Sequence, residues 1–89
     1  MGEMENSFGY NVMYVLDALS CKLIADNLID CGISEQQKRL YNALKKHLVI
    51  YLNCRNSLSG QFLMAVAENY QAISLDNHDT IEKVLSLAK

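Results

Sequence analysis

The side chains of this 89-residue chain best suited to hold a metal ion are Asp76, His78 and Asp79. They crowd into one short stretch with no second ligand cluster. They also lack the alternating ligands and central glycine of a calcium loop. The expectation is a solvated turn with a helix cap and no metal site. His47 follows Lys45 and Lys46, and no carboxylate or nucleophile falls within a helical turn on its side. It is expected on an exposed face rather than in acid–base catalysis. Cys21, Cys31 and Cys54 are odd in number and show no C-x-x-C spacing. They read as reduced, mostly buried thiols of a cytosolic protein, with Cys54 beside Arg55 the one candidate for redox chemistry.

Two further constellations invite a chemical reading. Asn56-Ser57-Leu58, followed by Phe62-Leu63-Met64-Ala65-Val66, looks like the phosphopantetheine-serine region of acyl carrier proteins. That family has Asp before the serine, a long preceding loop and acidic surroundings, where this chain has Asn56, a capped helical pattern and a basic cluster upstream. The set Lys38, Lys45, Lys46 and Arg55 could grip phosphates. No glycine-rich phosphate loop, RNA-binding aromatic signature or helix-turn-helix pattern accompanies it. No catalytic, cofactor-binding or metal-ligating residue is assigned, and the chain is not expected to be an enzyme.

The elements that carry these residues are helical. Apolar residues make up 51% of the chain and proline is absent, which favours uninterrupted helices and gives slightly more apolar surface than a small monomer hides. Val12, Val15, Leu16, Leu19, Leu23 and Leu28 recur at helical spacing over about Asn11 to Asp30, with residues 1–9 expected to fray. Asp17, Asp26 and Asp30 are expected on its outer or flanking faces. Gly32 can close that helix in the left-handed conformation. Ser34-Glu35-Gln36-Gln37 then reads as a capping box opening a second helix with Leu40, Leu44, Leu48 and Tyr51 inward. Stop and start so close together predict a tight helical hairpin. A break is expected near Asn56–Ser59, with Ser57 or Ser59 capping a third helix to about Ile73. Asp79-Thr80-Ile81-Glu82 reads as a second capping box before a short last helix. The fold class is therefore all-α: one domain, a small hairpin or bundle of three to four helices, dimeric because Leu48–Leu52 is apolar on every side.

Charge is unevenly distributed along this framework. No acid lies between Gln36 and Ala67, which carry Lys38, Arg39, Lys45, Lys46 and Arg55, whereas residues 1–35 carry six acids against Lys22. The overall charge of −2 argues against bulk nucleic-acid affinity. No apolar run approaches a membrane span, and the acidic N-terminus lacks a signal-peptide pattern. The chain reads as cytoplasmic, without membrane partners. Leu48, Ile50, Tyr51, Phe62 and Met64 are the expected apolar interface, and Lys45, Lys46 and Arg55 its charged rim.

The stretch Asn27-Leu28-Ile29-Asp30-Cys31-Gly32, with Leu40, Leu44 and Leu48 following in register, resembles the small enterobacterial biofilm and acid-resistance regulators of the YmgB/AriR family. Lys38 and Tyr70 fall in register too, and the resemblance covers roughly residues 19–70. It implies a dimeric, non-enzymatic all-α regulator that contacts transcription-control proteins. From the residues, the expected function is a regulatory adaptor acting as a homodimer on a protein partner. A secretion chaperone, a toxin-immunity protein or a DNA-binding regulator stands as the alternative.

Overall fold

Gly32 takes φ +85°, a conformation open to a residue without Cβ, and its N–H donates to the Asp26 carboxylate at 3.0 Å. Ser34 follows as the N-cap, its hydroxyl accepting from the Gln37 N–H at 3.1 Å. The expected turn between two helices is therefore made. The computed structural model describes residues 2–29 and 32–88, with side chains from residue 9 onward. Asp30 and Cys31 lie outside the described residues. Among the described residues five helices are seen: α1 (Gly2–Ile29), α2 (Glu35–Cys54), α3 (Ser57–Glu68), α4 (Tyr70–Ser74) and α5 (His78–Leu85). No strand occurs among the described residues. Residues 2–9, expected to fray, continue α1. At 1.5 Å per residue its 28 residues span about 42 Å, which sets the 41 Å long dimension of the molecule.

The break after α2 falls at Arg55 and Asn56. Arg55 adopts φ 53° and donates its N–H to the Tyr51 carbonyl at 2.8 Å. The cap of α3 is Asn56, not Ser57 or Ser59: its Oδ1 accepts from the N–H groups of Leu58 and Ser59. The third helix also stops earlier than Ile73. Asn69 turns its amide back onto the Ala65 carbonyl at 2.8 Å, and α4 is a separate five-residue piece. The last cap moves two residues upstream, because Asn77 rather than Asp79 accepts from the Thr80 N–H.

The first expected capping box forms only its first half, Ser34 to Gln37, and the second, Asp79 to Glu82, is replaced by the Asn77 cap. The Gln37 side chain does not reach back. Fully buried, it donates to the Ile73 carbonyl at 3.2 Å and accepts from Lys22 Nζ at 2.9 Å, tying α2 to α4 and α1. Glu82 likewise accepts from Gln36 Nε2 at 2.7 Å and lies 3.5 Å from Arg39. Gln36 also donates to the His78 carbonyl. A long polar side chain in a helix's first turn has gone to the neighbouring helix, where a buried or half-buried carbonyl or carboxylate needs a donor.

The core joins Val12, Val15 and Leu19 of α1 to Leu40 and Leu44 of α2. Phe62, Leu63, Val66 and Ala67 of α3, Ile73 of α4, and Ile81 and Val84 of α5 complete it. α3 lies at the centre and packs against both long helices. No helix of the described residues is long and apolar enough to cross a membrane.

Candidate functional site

The four-residue stripe Leu40, Leu44, Leu48 advances about 40° per step around a helix of 3.6 residues per turn. By Leu48 it has reached the edge of the inward face, where that side chain is half-buried against the core, and the residue aimed at the core is His47. This overturns the expectation of an exposed imidazole: His47 is 6% exposed and packs tilted against the Phe62 ring, the centroids 5.0 Å apart. Its Nε2 lies 3.1 Å from the Ala88 carbonyl, which can only accept, so Nε2 carries the proton. Nδ1 then accepts from the buried Ser59 hydroxyl at 2.8 Å. The imidazole is a linking group between α2, α3 and the chain after α5.

The expected interface residues divide. Phe62 is 0% exposed at the centre of the core, so a partner cannot touch it in the folded protein; its apolar helical spacing marked it as buried against something, and that something is the chain itself. Tyr51, Leu48 and Met64 do come together around two clefts. One, of about 300 Å³, lies between α1 and the end of α2 and is lined by Met13, Leu48, Tyr51, Leu52, Arg55 and Leu63, among others. The other, of about 640 Å³, is bounded by Tyr51, Arg55, Gly60, Met64, Glu68 and Leu87. Tyr51 and Arg55 line both, with the guanidinium 5.2 Å above the ring. Gly60 permits this: a Cβ there would sit 3.1 Å from Tyr51 Cε1. Ile50 is placed by helical geometry about 100° from Tyr51, on the flank of α2 away from α1. Sequence reasoning missed Met13, Leu52 and Leu87. Leu52 belonged to the all-round apolar run and was findable there; Met13 comes from α1 and Leu87 from the turn after α5, both distant in sequence.

The basic residues also divide. Lys38 lies 3.8 Å from Asp26, and Arg39 pairs with Glu82. The Gln36 amide first, and Arg39 second, hold the Glu82 carboxyl below its usual value. Lys45, Lys46 and Arg55 pair with no acid among the described residues; Lys45 lies over the Tyr41 ring at 5.0 Å. Asp17 is exposed, and Asp30 is outside the described residues. Cys21 and Cys54 are exposed free thiols rather than buried ones. No group of three metal-type side chains forms among the described residues, Asp76, His78 and Asp79 included. Asp76 instead accepts from the Ser34 hydroxyl at 2.8 Å.

Compared with protein families, curated proteins and solved structures, the chain matches none.

Proposed function

We propose that this protein is a non-enzymatic regulatory adaptor of the cytoplasm that acts by protein–protein contact. Its partner presents apolar side chains with acidic residues beside them. The Arg55–Tyr51 pair between the two clefts carries this reading. A carboxylate arriving at Arg55 gains a charge-assisted hydrogen bond. An apolar side chain entering either cleft is desolvated against Met13 and Leu52 or against Met64 and Leu87. Aromatic and arginine residues are the side chains that most often dominate a binding energy. Lys45 adds positive charge about 15 Å further up α2, at the Tyr41 ring, and such charge sets association rate and specificity more than raw affinity. The resemblance of residues 19–70 to the YmgB/AriR regulators supports a transcription-control protein as that partner.

Leu52→Glu and Met64→Glu test the clefts, since both side chains are exposed. A third variant reverses Lys45, Lys46 and Arg55 to Glu. Partner capture from cell extract by the wild type, lost in the first two and slower and less salt-sensitive in the third, is the expected result. The triple reversal should stay folded, because exposed charges contribute about 0–1 kcal/mol each and the two ring contacts about 0.5–1 kcal/mol each. Capture of the same partner at undiminished rate by all three variants would end the proposal.

A further inference from the structure

α1 carries apolar side chains on two faces. Val12, Val15 and Leu19 enter the core. On the opposite side Tyr10, Tyr14, Asp17, Cys21, Ile24 and Leu28 form one exposed stripe, with Tyr14 at 52% and Leu28 at 78% exposure. Their spacing alternates four and three residues, the 3.5-residue repeat of a helix that pairs with another helix. The residues flanking the stripe carry no charge: Asn11, Ala18 and Ala25 on one side, Met13, Ser20 and Asn27 on the other. Tyr14 is already braced, its ring edge-on to Tyr70 at 5.5 Å. Beside it the exposed Leu75 closes a shallow hollow shared with Gln71 and Ser74.

We infer that this stripe is the seam of a homodimer in which α1 pairs with α1 of a second copy, antiparallel, on the face opposite Val12, Val15 and Leu19. The register selects the occupant and the direction. Antiparallel pairing centred between Asp17 and Cys21 sets Tyr10 against Leu28, Tyr14 against Ile24 and Asp17 against Cys21 of the second copy. Every layer joins a larger side chain to a smaller or aliphatic one. Parallel pairing in register would set Asp17 against Asp17, two carboxylates facing in a closing interface. The antiparallel register separates them by four residues, about 6 Å along the axis. Area agrees. With an aromatic side chain at roughly 150–250 Å² and an aliphatic one near the lower end of that range, the exposed parts of Tyr10, Tyr14, Ile24, Leu28 and Leu75 offer on the order of 600 Å² per copy. Specific interfaces use about 600–1,000 Å² per partner, and a patch this large stands at the upper end of the roughly 300–600 Å² a monomer exposes.

Sedimentation at about 50 μM of the wild type should give twice the 10.0 kDa chain mass. Ile24→Glu with Leu28→Glu should give the monomer mass with helix content unchanged, because both side chains are exposed and glutamate suits a helix, and with a melting temperature that no longer rises with protein concentration as that of the wild type should. Leu52→Glu, in the cleft, should remain dimeric, which keeps failure here distinct from failure of the adaptor reading. Direction is tested by oxidation in a Cys31→Ser, Cys54→Ser background. There Asp17→Cys should cross-link to Cys21 of the second copy, while Cys21 alone should not. A monomeric wild type overturns the inference. So does a dimer that survives Ile24→Glu with Leu28→Glu, whether it then rests on another face or binds through another protein. A Cys21 self-cross-link, or none after Asp17→Cys, overturns the antiparallel register.

Discussion

Replacing His47 by Leu tests the placement on which the orientation of α2 depends. Leucine fills much of the same space but offers neither an acceptor nor a donor. The Ser59 hydroxyl, 1% exposed and 2.8 Å from Nδ1, then loses the acceptor it uses. Leaving a buried polar group unpaired costs about 1–3 kcal/mol. The Ala88 carbonyl adds little, because Ala88 is only partly buried and water can replace Nε2. Added apolar burial offsets part of the loss, so a net destabilisation of about 1–2 kcal/mol is expected. In a domain of this size each kcal/mol moves the melting temperature by about 4–8 °C, giving a fall of about 4–16 °C by far-ultraviolet dichroism. The decisive measurement is the cycle with Ser59→Ala. Removing both polar partners leaves nothing unsatisfied, so the double variant should be more stable than the sum of the two single losses by about 1 kcal/mol or more. A His47→Leu protein within about 0.5 kcal/mol of wild type, as for an exposed position, would refute the buried placement. Strict additivity in the cycle would refute the hydrogen bond.

Gln37→Leu should cost about 0.5–1.5 kcal/mol by urea unfolding, because it removes one of two donors from the Ile73 carbonyl, which still accepts from the Asp76 N–H; unchanged stability would show that the α2–α4 link is immaterial. Glu82 gives a pH dependence of known sign. Its folded-state carboxyl is held below the ordinary value by Gln36 and Arg39, so its contribution is fully present above the ordinary carboxylate range and is lost as pH falls through the lowered one. Melting temperatures from about pH 6 down to about pH 3 should therefore fall more steeply for wild type than for Glu82→Gln, and parallel curves would count against the contact.

The sequence alone determined that the chain is helical and where several of its helices turn. Gly32 and Ser34 act through their own backbone and the next three residues, so the hairpin needed no knowledge of the rest of the chain. The break near Asn56 was legible for the same local reason, although Asn56 and not a serine makes the cap. Local rules failed where a side chain had a choice of partner. Gln37 and Glu82 could each close a capping box, and the neighbouring helices drew them away. Asn77 and Asp79 are both competent caps, and the turn after α4 selected the first.

The tertiary structure decided which apolar and polar residues face inward. Periodicity shows that α2 has a buried face but places its centre only to within a residue or so, since Leu44, His47 and Leu48 differ by tens of degrees. Packing against α3 and the chain end, where Ser59 and Ala88 meet the imidazole, selected His47. The same packing put Phe62 in the core rather than on an interface and split the basic helix. Lys38 and Arg39 neutralise Asp26 and Glu82, while Lys45, Lys46 and Arg55 face outward without an acid. Both faces of α1 are apolar in the sequence. Only once the other helices had covered Val12, Val15 and Leu19 could the stripe from Tyr10 to Leu28 be identified as the face left over, because burial is a property of what packs against a residue and not of the residue itself.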